Sequence, residues 1–92
     1  MRRGVYAVTA EWDGNTRDGV CNFGVRPSFG GGETAAETYL FDFSGDLYGK
    51  TVRIAYHAFL REETAFSSPE KLARQIARDN ARAKAILQEA KR

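Results

Sequence analysis

Residues 4–12, GVYAVTAEW, alternate with Tyr6, Val8, Ala10 and Trp12 on one side and Val5, Ala7, Thr9 and Glu11 on the other. That is the period of a β-strand. Asp13-Gly14-Asn15 follows as a hairpin turn, because each of these residues tolerates a positive φ. A second strand over 19–25 runs into Arg26-Pro27-Ser28-Phe29-Gly30-Gly31-Gly32. Its proline cannot donate to a ladder and its glycines loosen the backbone, which predicts a mobile loop of the sort that closes over a ligand. A third strand is predicted over about 34–43, a turn at Ser44-Gly45-Asp46, and a fourth strand over about 51–60. Strict alternation would put Val52, Ile54, Tyr56, Ala58 and Leu60 on one face of that last strand, and Arg53, His57 and Phe59 on the other.

Ser67-Ser68-Pro69-Glu70 supplies a capping serine, a proline for the first turn and a carboxylate near a helix N-terminus. The helix is predicted over 69–90, with Leu72, Ile76, Ala83 and Leu87 on one stripe and Arg74, Arg78 and Arg82 on another. Four antiparallel strands followed by one long amphipathic helix predict a single mainly β domain of the α+β type, a small barrel or curled sheet closed by a C-terminal helix.

Composition narrows the function classes. Of 92 residues, 14 are basic and 12 acidic, so the net charge of +2 gives little reason to expect a nucleic-acid partner. The arginine stripe is interrupted by Glu70, Asp79 and Glu89 and has no aromatic platform, which makes it a solvated helix face. A nucleic-acid-binding barrel would have only Arg53 beside His57 and Phe59 in its favour. Cys21 is the only cysteine and His57 the only histidine, which excludes an internal disulfide and a Cys/His zinc site. No apolar run is long enough for a signal peptide or a membrane helix, so the expected compartment is the cytoplasm.

The candidate chemistry lies in ETYLFDFSGDLYGKT, residues 37–51. Its Gly-Lys-Thr ending imitates a phosphate loop, but Ser44 stands where the first glycine belongs and a β-prone run follows where a helix is required. His57, in such a run, is more often a structural hydrogen-bonder than a ligand, although its near-neutral pKa suits chemistry. Alternation puts Glu37 on one strand face with Tyr39, Phe41 and Phe43. If that face turns inward, desolvation raises the carboxyl pKa toward that of a general base. The competing reading is an exposed glutamate at a strand end.

GVYAV, GVCNFGVRPSF, ETYLFDFSGDLYGK, FLREETAF and SPEKLARQIARDNARAKAIL, taken together and in this order, resemble the riboflavin kinase domain at the C-terminus of bacterial bifunctional riboflavin kinase/FAD synthetases. The resemblance implies an antiparallel six-stranded Greek-key barrel with a C-terminal helix, transferring the γ-phosphate of ATP to the 5'-hydroxyl of riboflavin to give FMN and ADP. It implies that Glu37 is the catalytic base, opening a Glu-x-x-x-x-Asp-Phe strand, in a reaction dominated by positioning and electrostatics. Asp42 and Tyr48 match positions near the nucleotide. Ile54, His57 and Phe59 match the strand lining the flavin pocket, with Arg61 at its exit, although core packing explains these positions equally well. Asn22, Arg26 and Pro27 match a loop signature that organises a flap over the substrates.

The resemblance also implies that family domains start about thirty residues earlier, the length of a strand-loop-strand. That segment carries a Pro-Thr-Ala-Asn motif whose threonine and asparagine bind Mg2+ and ATP, so the Mg2+ ligands are expected upstream of Met1 and no metal ligand within this chain. The expectation is a riboflavin kinase whose present chain is an N-terminally truncated barrel, poorly active alone. Its partners would be riboflavin/FMN, ATP/ADP, an attached adenylyltransferase (FAD synthetase) domain and a second copy across exposed barrel edges. The alternative is a non-catalytic barrel remnant that binds flavin or nucleotide.

Overall fold

The computed structural model describes residues 2–28 and 31–91, with the backbone alone described at 25–28 and 31–34. Its elements are β1 (Gly4–Trp12), β2 (Asn15–Ser28), β3 (Gly31–Leu40), β4 (Arg53–Glu62) and α1 (Pro69–Ala90). Trp12 pairs with Asn15, and the two residues between them, Asp13 (φ 47) and Gly14 (φ 79), both adopt the left-handed conformation. Such a pair matches the twist of the strands it joins, so it fixes the β1–β2 register. All pairings are antiparallel and the strand order is β3-β2-β1-β4. Three strands linked by hairpins, with a fourth returning beside the first, form a Greek key. Four strands rather than six make up the sheet among the described residues.

β1 is central, and its side chains are buried on both sides of the sheet over most of its length. On one face Val5, Ala7, Val20 and Leu60 pack against Ala83 and Leu87 of α1. On the other, Tyr6, Val8 and Cys21 pack with Phe23, Ile54 and Phe59. Trp12 is closed by an edge-to-face contact with Phe43 at 5.3 Å.

α1 begins where the sequence predicts. Ser68 is extended and its side chain accepts from the Lys71 amide at 3.2 Å, with Pro69 in the first turn. The helix is tied to the sheet by Arg82 Nη1 donating to the Leu60 carbonyl at 2.7 Å and by Lys91 paired with Asp18 at 2.6 Å. Arg74, Arg78 and Arg82 are all exposed, and Arg82 also anchors the helix through its guanidinium. Among the described residues no helix is long and apolar enough to cross a membrane.

Three expectations change. The predicted loop over 26–32 is largely strand: Arg26 pairs with Glu33, Pro27 with Gly32 and Ser28 with Gly31. Phe29 and Gly30 of that loop, and the side chains of Arg26 and Pro27, lie outside the described residues. The third strand ends at Leu40 rather than at 43, because Asp42 turns the backbone at φ 52 and sends Phe41 and Phe43 to different contacts. The fourth strand runs over 53–62 and does not alternate strictly. Its register with β1 skips Leu60, between Arg61 and Phe59, and His57, between Ala58 and Tyr56. Each skip is a bulge that re-aims the side chains around it. Ile54, Tyr56 and Phe59 thus lie opposite Ala10, Val8 and Tyr6 on one face, while Ala58 and Arg61 face the helix side with Ala7 and Val5.

Candidate active site

One transverse row of the sheet carries the polar groups that matter. Glu37 on β3 pairs with Asn22 on β2, Asn22 with Val5 on β1, and Val5 with Arg61 on β4. Directly opposed residues share a face, and Val5 is packed on the helix side, so Glu37, Asn22 and Arg61 all project toward α1. Three interstrand spacings separate the ends of this row, about 14 Å.

Above the row, sheet and helix diverge. The helix stripe that buries Ala83 and Leu87 continues to Ile76 and Leu72, yet these two remain 44% and 41% exposed. The gap is a groove of about 430 Å3 with Val5, Val20, Asn22, Tyr39 and Phe41 on the sheet side and Leu72, Ile76, Asp79 and Asn80 on the helix side, Arg61 lying at the floor between them. Exposed apolar side chains gathered in a concavity with a few polar groups are the signature of a small-molecule site.

The polar groups are held by specific contacts. Arg61 Nε donates to both Asp79 oxygens at 3.0 and 2.9 Å, and Gln75 Nε2 adds a third bond at 2.9 Å. Asp79 is 6% exposed, so the acid assigned in sequence to a solvated face is in fact a buried counter-charge. The Arg61 guanidinium also lies over the Phe66 ring at 5.6 Å. Glu37 lies beside the groove with its Oε2 accepting from the Tyr39 hydroxyl at 3.2 Å. Its side chain is exposed, which matches the reading of an exposed glutamate rather than that of a desolvated one. A carboxylate there is reachable by a ligand in the groove.

The remaining predicted positions fall elsewhere. Ile54 and Phe59 are on the opposite face with Tyr6 and Val8, and His57 Nε2 bonds to Thr9 Oγ1 at 2.9 Å on an exposed edge. The bulge at Leu60 turns Phe59 away from the face that Arg61 occupies, while Ile54 lies on the far face as alternation alone requires. Tyr56, on the far face, has its phenol pushed up to about 12 by burial first and by the Cys21 thiol second, so it is a neutral group and no base at physiological pH. Asp42 lines a shallow crevice beyond Phe41, with Arg17, Asp18, Lys84 and Lys91. Tyr48 is 93% exposed in a turn where its amide donates to Asp46 and Lys50 N–H closes onto the Leu47 carbonyl. Lys50 pairs with Asp13 at 2.7 Å, and the strand that follows it confirms that Gly-Lys-Thr is no phosphate loop. Among the described residues no three His, Cys, Asp or Glu side chains converge on a point where a metal could sit.

Sequence reasoning passed over Leu72, Ile76, Asp79 and Asn80 as ligand-facing groups, and Tyr39 as the partner of Glu37. Their only signal was the helical stripe, which looks the same whether a sheet or a ligand covers it.

A Greek-key sheet with one helix, an amphipathic groove between them and an exposed carboxylate beside it, has the layout of a small-molecule-binding domain. The family model for riboflavin kinase (flavokinase) matches residues 1–87, and the chain belongs to that family. It is 44% identical over 84 residues to a bifunctional riboflavin kinase/FMN adenylyltransferase of Pseudomonas fluorescens, covering 90% of this chain and 27% of that protein. Over 80 residues it is 40% identical to an RNA-binding riboflavin kinase, RibR, of Bacillus subtilis, covering 86% of this chain and 35% of that one. The chain therefore spans about a quarter to a third of these relatives. A crystal structure described as a macrolide-efflux protein from Streptococcus pneumoniae shares the fold at a TM-score of 0.75 and 32% identity, over 84% of this chain and 25% of that one.

Proposed function

We propose that this chain supplies the flavin side of a riboflavin kinase: the groove holds the isoalloxazine ring, and Glu37 takes the proton of the ribityl 5'-hydroxyl as that oxygen attacks the γ-phosphorus of ATP. The observation that carries this reading is the row Glu37–Asn22–Val5–Arg61, in which Asn22, Val5 and Arg61 line the groove and Glu37 shares their sheet face just outside it, bonded to the groove-lining Tyr39. An exposed carboxylate at the open side can reach a hydroxyl on a chain leaving the groove, while the tricyclic ring finds Leu72, Ile76 and Phe41. A positioned base of this kind contributes about 10²–10⁴ in rate. Kinases of this family use ATP with Mg2+.

Asp42 and Tyr48 are assigned to the nucleotide side, Tyr48 offering an exposed ring on which adenine can stack. In the whole protein the kinase would be joined to an FMN adenylyltransferase, as in the bifunctional relatives, so that FMN passes on to FAD. The outer edges of β3 and β4 have no strand neighbour among the described residues and would pair two copies of the chain. Light scattering should then give a dimer; a monomer at all concentrations would refute the pairing.

The groove assignment is tested by titrating riboflavin into the chain and following quenching of flavin fluorescence. Ile76→Trp, which fills the groove, is expected to abolish binding. Binding that survives this substitution would place the flavin elsewhere.

A further inference from the structure

Asn80 stands at the middle of α1, one residue beyond the buried Asp79, and lines the groove. Its Oδ1 is removed from solvent and has no hydrogen-bond partner among the described residues. Orphaned buried acceptors are uncommon in native proteins, and each costs about 1–3 kcal/mol unless a ligand or water supplies a donor. The neighbouring acceptor, Asp79, is already bound by Arg61 and Gln75, and the groove wall around Asn80 is largely apolar. Because Asn80 lines the groove, a group that fills the groove is placed to supply the donor for this oxygen.

We propose that Asn80 is the residue that selects the flavin ring, its Oδ1 accepting from the N3–H of the pyrimidine edge. This rests on the assignment of the groove to the flavin. The isoalloxazine ring has a single ring N–H, flanked by two carbonyl oxygens, and a carboxamide can accept from the former while donating to one of the latter. An apolar groove alone would hold any tricyclic ring of similar size. A buried polar group that needs its complement is what rejects a ligand lacking it.

The test is a fluorescence titration of the chain with riboflavin and with 3-methylriboflavin, in which the N3–H is replaced. The native protein should bind the methylated flavin at least about tenfold more weakly, equivalent to one buried hydrogen bond. Asn80→Ala should weaken riboflavin binding by a similar factor and erase the preference; alanine favours the helix at this position, and the melting temperature checks the fold. Asn80→Asp, which keeps an acceptor but cannot donate, should retain a preference for riboflavin. If Asn80→Ala keeps the native preference while Ile76→Trp abolishes binding, the role given to Asn80 is wrong and the groove assignment stands. If Ile76→Trp leaves binding intact, or if the chain takes up no riboflavin, both fall.

Discussion

Removing the carboxylate of Asp79 should cost more than any surface substitution in this domain. Asp79 is 6% exposed and receives three hydrogen bonds, two from Arg61 Nε and one from Gln75. The Arg61 side chain is 20% exposed. Asp79→Ala leaves that guanidinium facing the groove without a counter-charge, and breaking a buried pair in this way costs about 3–5 kcal/mol. Because the groove is open, water reaches part of the guanidinium, and its contacts to the Glu62 carbonyl and Phe66 ring persist. The expected loss is therefore at or just below the bottom of that range, about 2–3 kcal/mol. In a domain of this size each kcal/mol moves the melting temperature by about 4–8 °C, so calorimetry should show a fall of about 10–20 °C. The double variant Arg61→Met/Asp79→Leu should recover most of the loss, since replacing both charges with apolar side chains removes the unpaired cation. A single variant within about 0.5 kcal/mol of the native protein would refute the view that the pair is a desolvated tie.

Two further outcomes follow from other contacts. Ser68→Ala removes the acceptor of the Lys71 amide and should cost about 1 kcal/mol in urea unfolding, with little effect on flavin affinity. Tyr56 is held neutral in the folded state up to about 12 but ionises near 10 when unfolded, so its contribution is present below pH 10 and lost as pH rises toward 12. Tyr56→Phe should flatten that part of the stability–pH curve; an unchanged slope between pH 10 and 12 would contradict the assignment.

The parts of the fold set by local chemistry were legible in sequence. Asp13-Gly14 fixes a hairpin, Ser68-Pro69 fixes a helix start, and both stand where the residues place them. The bulges at His57 and Leu60 carry no such local mark, because they arise from matching β4 to an already paired β1. Strict alternation separates Ile54 from Phe59, yet the two share the face away from the helix, and Phe59 does not share the face of Arg61. Glu37 was paired correctly in face with Tyr39, but the face is that of an open groove rather than of the sheet interior. Asp79 stands at i+7 from Leu72 and i−4 from Ala83, on the apolar stripe rather than the arginine one, so helical spacing marks it as inward-facing, whereas its partner Arg61, distant in sequence, carries no such mark.

The base assigned to Glu37 is tested most directly by measuring FMN formation and riboflavin affinity in Glu37→Gln, in this chain or in a longer protein that carries it. Glutamine keeps the shape and removes the proton acceptor. The expected result is a loss of at least about 100-fold in turnover with riboflavin affinity kept within about threefold. Undiminished FMN formation by the Glu37→Gln protein would contradict the account.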